Sequence, residues 1–82
     1  MKRTRQSKLK NVIGGRVRQA RMAMNPPVSQ EDVCGRLARV GITMTQTGIS
    51  KLENGQRSVL DYEAKALAKI LKVSIGWLYG EG

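Results

Sequence analysis

Histidine and phenylalanine are absent from this chain of 82 residues, and cysteine occurs once, at Cys34. Without histidine, and with one cysteine, the chain cannot supply a histidine general base, a cysteine–histidine nucleophile pair or a zinc site built from these two residue types. We therefore expect neither an enzyme nor a protein that holds a metal or another cofactor. A lone cysteine forms no internal disulfide, which is compatible with a reducing cytosol and predicts a cytoplasmic protein.

Aromatic residues are also scarce, with one Trp and two Tyr. The core must therefore be built from Leu, Ile, Val, Ala and Met, which suits one small helical domain. The same scarcity disfavours binding to single-stranded RNA, whose readers generally stack bases on aromatic rings. Long apolar runs are missing too, because three lysines interrupt the most apolar tract, residues 64–79. We therefore expect no membrane span. Basic residues also recur from Lys2 to Arg21, so we expect no signal peptide.

Acidic residues are missing from the first 30 positions, which carry eight Lys and Arg residues, whereas the rest of the chain is nearly balanced. The net charge of +9 therefore arises mainly near the N-terminus. Such a field attracts polyanions, for example nucleic acid or an acidic membrane surface. We expect residues 1–10 to form a mobile basic arm and residues 11–82 to form the folded domain.

Hydrophobic spacing and helix-end residues predict five short helices. The first follows Asn11, which can cap it, and ends at Asn25-Pro26-Pro27. Its apolar positions recur at helical spacing: Ile13, Val17, Ala20 and Met24. The second helix starts at Gln30 behind a near capping box of Ser29 and Asp32, and Gly41 marks its end. Its expected buried stripe is Val33, Leu37 and Val40, with Cys34 beside them.

The third predicted helix is only about two turns long. It runs from Gln46, behind a capping Thr45, to Glu53, before the stop signal Asn54-Gly55. At about 100° per residue, Ile49 and Leu52 share an inward face. The polar side chains on the outward face are Gln46, Thr47, Ser50 and Lys51. An exposed face of hydrogen-bonding groups is what reading base edges requires, although it also describes an ordinary solvated helix face.

Two further helices complete the expected fold. Ser58 or Asp61 can cap a fourth helix, in which Glu63, Leu67, Ile70 and Leu71 fall at helical spacing. Ser74 can cap a last short helix over residues 75–79, which Gly80 stops.

Three segments have a more specific sequence: Ser29 to Asp32, Ile49 to Gly55, and Leu67 to Ser74 with Trp77-Leu78. Together they resemble the helix-turn-helix domain of the phage repressor and Cro (Xre-type) family over roughly residues 13–78. The resemblance implies an all-α, lambda-repressor-like DNA-binding domain in a small bacterial or phage transcriptional regulator, most simply a repressor. It also implies sequence-specific binding to double-stranded DNA, with Gln46 to Glu53 as the recognition helix in the major groove.

The resemblance assigns roles to individual residues. The base-reading positions are Gln46, Thr47, Ser50 and Lys51, of which Gln46 suits adenine and Lys51 suits guanine. Among the phosphate-binding candidates, the resemblance matches Gln30. We add Asn54 and Arg57 from the loop after the third helix, and Lys2, Arg3 and Arg5 from the arm. The alternative interpretation of residues 1–10 is a disordered tail that only keeps the chain soluble. Arg21 and Glu53 match a pair that forms a structural salt bridge in relatives.

Three questions stay open on the sequence. The residues Trp77, Leu78 and Tyr79 are either core and rim, or a contact in a homodimer that binds half-sites about one helical turn apart. The alternative function is the antitoxin of a toxin–antitoxin pair, which binds an operator and also a protein partner. The connection between the two motif helices, residues 39–44, is several residues longer than the phage turn, which leaves the docking angle open.

Overall fold

A computed structural model describes residues 9–81, so the arm positions Lys2, Arg3 and Arg5 lie outside the described residues. Within residues 9–81 the structure contains five helices and no strand. In chain order the helices are α1 (Gly14–Ala23), α2 (Gln30–Arg39), α3 (Gln46–Glu53), α4 (Asp61–Leu71) and α5 (Ile75–Leu78). The predicted all-α class with five short helices is confirmed.

All five helices bury side chains in one hydrophobic core. The fully buried members include Val17, Val33, Leu37, Ile49, Leu52, Leu67 and Leu78. α3 packs on α1 and α2, while α4 packs on α1, α2 and α5. The longest described helix has 11 residues, and none in this part of the chain has the length and apolar character needed to cross a membrane.

Side-chain caps begin three helices at the predicted residues. The Ser29 hydroxyl accepts the Asp32 amide at 3.0 Å, and the Asp32 carboxylate accepts the Ser29 amide at 3.4 Å, which completes the capping box of α2. Thr45 and Ser74 each accept the amide three residues later, both at 3.0 Å. These bonds satisfy amides that the first helical turn leaves without a partner.

Two predicted helix starts are corrected by the structure. α1 begins at Gly14, so Asn11 lies ahead of the cap position, although its side-chain oxygen still accepts the amides of Ile13 and Gly14 at 3.0 and 2.7 Å. Neither Ser58 nor Asp61 caps α4. Asp61 is already the first helical residue, so the cap position belongs to Leu60 and Ser58 lies two residues ahead of it. Instead the Glu63 carboxylate accepts the Leu60 amide at 3.0 Å.

Predicted burial is wrong at Val40 and incomplete at Cys34, and at Leu78 the structure decides between the two alternatives. Val40 is 41% exposed, because α2 already ends at Arg39. Gly41, with a φ of 85°, then turns the chain away from the core. The next side chain of this segment that is buried in the core is that of Met44. Cys34 is only half-buried. Leu78 is completely buried, so its side chain cannot take part in a dimer contact.

Candidate nucleic-acid interface

α3 has one face in the core and one in solvent. Ile49 and Leu52 are fully buried and fix the helix against α1 and α2. The predicted base-reading side chains lie on the opposite side, where Gln46, Thr47 and Lys51 are exposed and Ser50 is half-buried. The helix therefore presents amide, hydroxyl and ammonium groups from a backbone that the core holds in place.

A buried ion pair fixes the C-terminal end of α3. The Arg21 guanidinium on α1 donates to both carboxylate oxygens of Glu53, at 2.7 and 2.9 Å. Its remaining terminal nitrogen donates to the Val28 carbonyl at 3.0 Å. Arg21 and Glu53 are 8% and 9% exposed, so this bidentate pair is shielded from water and the orientation of α3 depends on it. The residues that the resemblance matched to a salt bridge are thus in direct contact.

Asn11 provides a second link to the end of α3. Its side-chain amide nitrogen donates to the Leu52 carbonyl at 3.0 Å and to the Arg57 carbonyl at 2.8 Å. Because its oxygen accepts two amides at the start of α1, one side chain joins α1, α3 and the loop after α3. The sequence indicated only a helix cap here, since bonds across 41 and 46 residues leave no local pattern.

The backbone of α1 also touches the end of α3 directly. Gly14 is buried, and a Cβ at this position would overlap the Leu52 carbonyl oxygen and lie 2.9 Å from the Glu53 carbonyl oxygen. Only glycine allows the two helices to approach this closely.

The predicted phosphate-binding residues among residues 9–81 lie around α3 and differ in exposure and in hydrogen-bond partners. Gln30, at the start of α2, is half-buried and donates to Glu53 at 3.1 Å, so it borders α3. Asn54 follows α3 directly and is exposed. Arg57 donates to both carboxylate oxygens of Glu63 at 3.1 and 3.2 Å, and its side chain is 31% exposed. Sequence reasoning missed this pair, which ties the loop after α3 to α4.

Glu63 is buried and remains the charged partner of Arg57. Burial acts to raise the pKa of its carboxyl group, but the hydrogen bonds from Arg57 and from the Leu60 amide outweigh burial and lower the pKa. The carboxylate therefore stays ionised at neutral pH and holds the loop.

The acidic groups that residues 9–81 bury are engaged in ion pairs. The two buried carboxylates, Glu53 and Glu63, are each occupied by an arginine. Within residues 9–81 no three His, Cys, Asp or Glu side chains come together in a group that could hold a metal ion. The arrangement suits recognition through hydrogen bonds and positive charge.

Comparison with known proteins agrees with this geometry. A family model described as helix-turn-helix matches residues 35–78, which is just over half of the chain and spans the end of α2, α3, α4 and α5. No curated protein and no solved structure matches the chain.

Proposed function

Because the chain belongs to the Cro/C1-type helix-turn-helix family of DNA-binding transcriptional regulators, we propose that it represses transcription by binding an operator with α3 in the major groove. The observation that carries this proposal is the division of α3 into a buried apolar face and an exposed polar face. A helix anchored in this way can enter the groove without rearrangement of the core.

Base reading is assigned to the exposed face of α3. The Gln46 amide can bond to N6 and N7 of adenine, and the Lys51 ammonium can donate to O6 and N7 of guanine. The Thr47 methyl group can contact the methyl group of thymine, and Ser50 can bond to either kind of base. These contacts give the proposed sequence specificity.

Phosphate binding is assigned to residues around α3. Gln30 and Asn54 can bond to phosphate oxygens on either side of the groove, and the start of α2 offers backbone amides for the same purpose. Arg57 is already paired with Glu63, so we expect a smaller contribution from it. The arm positions Lys2, Arg3 and Arg5 would add contacts that depend on charge alone.

The proposed active form is a homodimer on a pseudo-palindromic operator, with half-sites about 34–36 Å apart. Tyr79 is 44% exposed and Trp77 is half-buried, so they are the members of the predicted dimer contact that another copy can reach. The antitoxin alternative would add a protein-binding surface to the same operator binding, and a small toxin gene beside this one would favour it.

Selection of bound fragments from random duplex DNA tests the proposal. Gln46→Ala and Lys51→Ala should each remove preference at one position of the selected site, by about 1–3 kcal/mol. The matched controls are Gln19→Ala and Lys65→Ala, which remove the same side chains from exposed positions on α1 and α4. Both controls should keep the preference of the parent chain. If Gln46→Ala and Lys51→Ala keep it too, α3 does not read bases.

Salt provides an independent test of the phosphate contacts. Each neutralised phosphate releases counterions, so the logarithm of the affinity should fall with the logarithm of salt concentration with a slope of about 0.9 per contact. An operator affinity that hardly changes between low and moderate salt would contradict binding through the phosphate backbone.

A further inference from the structure

A shallow groove of about 280 Å³, wide open to solvent, lies where α2 and α4 end side by side. It is lined by Arg36, Arg39, Val40, Lys69, Ile70 and Lys72. The lining therefore combines four cationic side chains with two aliphatic ones and contains no acid.

The four cations of this groove have no ion-pair partner among residues 9–81. The ion pairs in this part of the chain are Arg21–Glu53 and Arg57–Glu63, and neither reaches the groove. Cations are stabilised near helix C-termini by the helix dipole, which explains how the ends of α2 and α4 keep like charges close together. Arg36 and Arg39 also line a neighbouring depression together with Glu31 and Asp32, whereas Lys69 and Lys72 do not. An anion from outside can therefore neutralise the groove most readily on its α4 side.

The floor of the groove is apolar. Val40, which the sequence placed in the core, is 41% exposed, whereas Ile70 belongs to the core and reaches the groove with only the 9% of its surface that stays exposed. The volume falls below the range of about 300–1,000 Å³ typical of small-molecule sites. A space of this size suits one or two inserted aliphatic side chains better than a cofactor.

The groove is separate from the candidate DNA interface. Its lining comes from α2, α4 and the residues that end them, and none comes from α3 or from the loop after it. Along α2, Arg39 lies nine residues after Gln30, which corresponds to about 13 Å at 1.5 Å per residue. A ligand in the groove therefore binds beyond the end of the helix that borders the DNA.

We propose that this groove binds an acidic segment of a partner protein, with an aliphatic side chain inserted between Val40 and Ile70 and with carboxylates on the surrounding cations. A nucleic acid satisfies only half of these features, because a phosphate backbone has charge but no aliphatic group for the floor. An acidic, partly apolar peptide segment complements both. The inference goes beyond operator binding and does not depend on it.

The test uses the full chain, labelled with ¹⁵N, and short synthetic peptides. One peptide has leucines flanked by glutamates, and a second has serines in place of the leucines. The leucine peptide should shift the amide signals of residues 36–40 and 69–72. The serine peptide should bind about tenfold more weakly, a loss of about 1.4 kcal/mol. Equal binding of the two peptides would overturn the role of the floor.

Two variants and one matched control complete the experiment. Arg39→Glu with Lys69→Glu should weaken the leucine peptide about tenfold. Arg18→Glu with Lys10→Glu makes the same change in net charge on exposed positions outside α2 and α4 and should change affinity less than about twofold. Equal losses would show attraction by net charge alone and overturn the site.

If charge reversal unfolds the chain, Val40→Ser provides the test instead, because it alters an exposed residue. This variant should also lower the affinity for the leucine peptide. If a non-operator DNA duplex shifts the groove signals more strongly than the leucine peptide does, the groove is a phosphate site and the proposal fails. Loss of operator binding in the α3 variants leaves these peptide results unchanged, so the two proposals fail separately.

Discussion

Replacing Gly14 by alanine tests how closely α1 approaches the end of α3. The new Cβ would overlap the Leu52 carbonyl oxygen and lie 2.9 Å from the Glu53 carbonyl oxygen. These are backbone atoms of a helix end, so no side-chain rotation can relieve the contact. α1 and α3 must separate instead, which strains the Arg21–Glu53 pair that joins them.

The expected size of this effect follows from overpacking. Forcing extra atoms into a packed interior costs about 1–3 kcal/mol, so we expect the free energy of unfolding to fall by about 2 kcal/mol. For a domain of this length that lowers Tm by roughly 10 °C. The matched control is Gly15→Ala, because Gly15 is exposed and a Cβ there meets no atom within 4 Å. This control should stabilise the chain by up to about 1 kcal/mol, since alanine favours the helix.

Thermal and urea unfolding, followed by circular dichroism, measure both variants. The reasoning is refuted if Gly14→Ala is as stable as Gly15→Ala, since the two substitutions then differ in no way that depends on α3. A second readout is operator affinity at a temperature where both variants are folded. Gly14→Ala should bind more weakly because α3 has moved, and an unchanged affinity would mean that the displacement does not reach the exposed face.

Three further predictions concern the buried acids and the cysteine. Glu53→Gln should lower the free energy of unfolding by about 3 kcal/mol in urea, because it leaves the buried Arg21 without its counter-charge; a loss below about 1 kcal/mol would contradict this. The pKa of Glu63 is lowered below its ordinary value of 4.5, so its contribution to stability is complete above that pH and is lost as the pH falls through the lower, folded value. Tm measured from neutral to acidic pH should therefore fall less steeply in Glu63→Gln, and parallel curves would exclude the Arg57–Glu63 pair as the cause. Burial raises the pKa of the Cys34 thiol, so alkylation by iodoacetamide at neutral pH should be slower in the folded chain than in urea, and equal rates would show that the thiol is not shielded.

Local signals in the sequence predicted most of the helix boundaries. Ser29, Thr45 and Ser74 cap amides within three residues of themselves, so a short pattern contains all the information. The start of α4 was missed because Leu60 has no capping side chain, and the stabilising bond comes from Glu63 within the helix. Val40 was misplaced because helical periodicity does not show at which residue a helix ends.

The face of α3 could be predicted because it follows from periodicity within eight residues, with Ile49 and Leu52 inward. The anchors of α3 are harder to predict, since they join distant parts of the chain. Resemblance to relatives suggested the Arg21–Glu53 pair, whereas the bonds from Asn11 to the Leu52 and Arg57 carbonyls depend on tertiary packing that no local pattern contains. The groove between α2 and α4 arises in the same way, from two helix ends that meet only in the fold.

Anchoring and the proposed base reading are assigned to separate residues of α3. Ile49, Leu52 and Glu53 hold the helix from inside the domain, whereas the side chains of Gln46, Thr47 and Lys51 make none of the described hydrogen bonds or ion pairs. Substitutions at exposed positions of this kind typically change stability by less than about 0.5 kcal/mol. If α3 reads the operator as proposed, a duplicated copy of this gene can diverge toward a new operator by single replacements on the outer face while the scaffold beneath stays as it is.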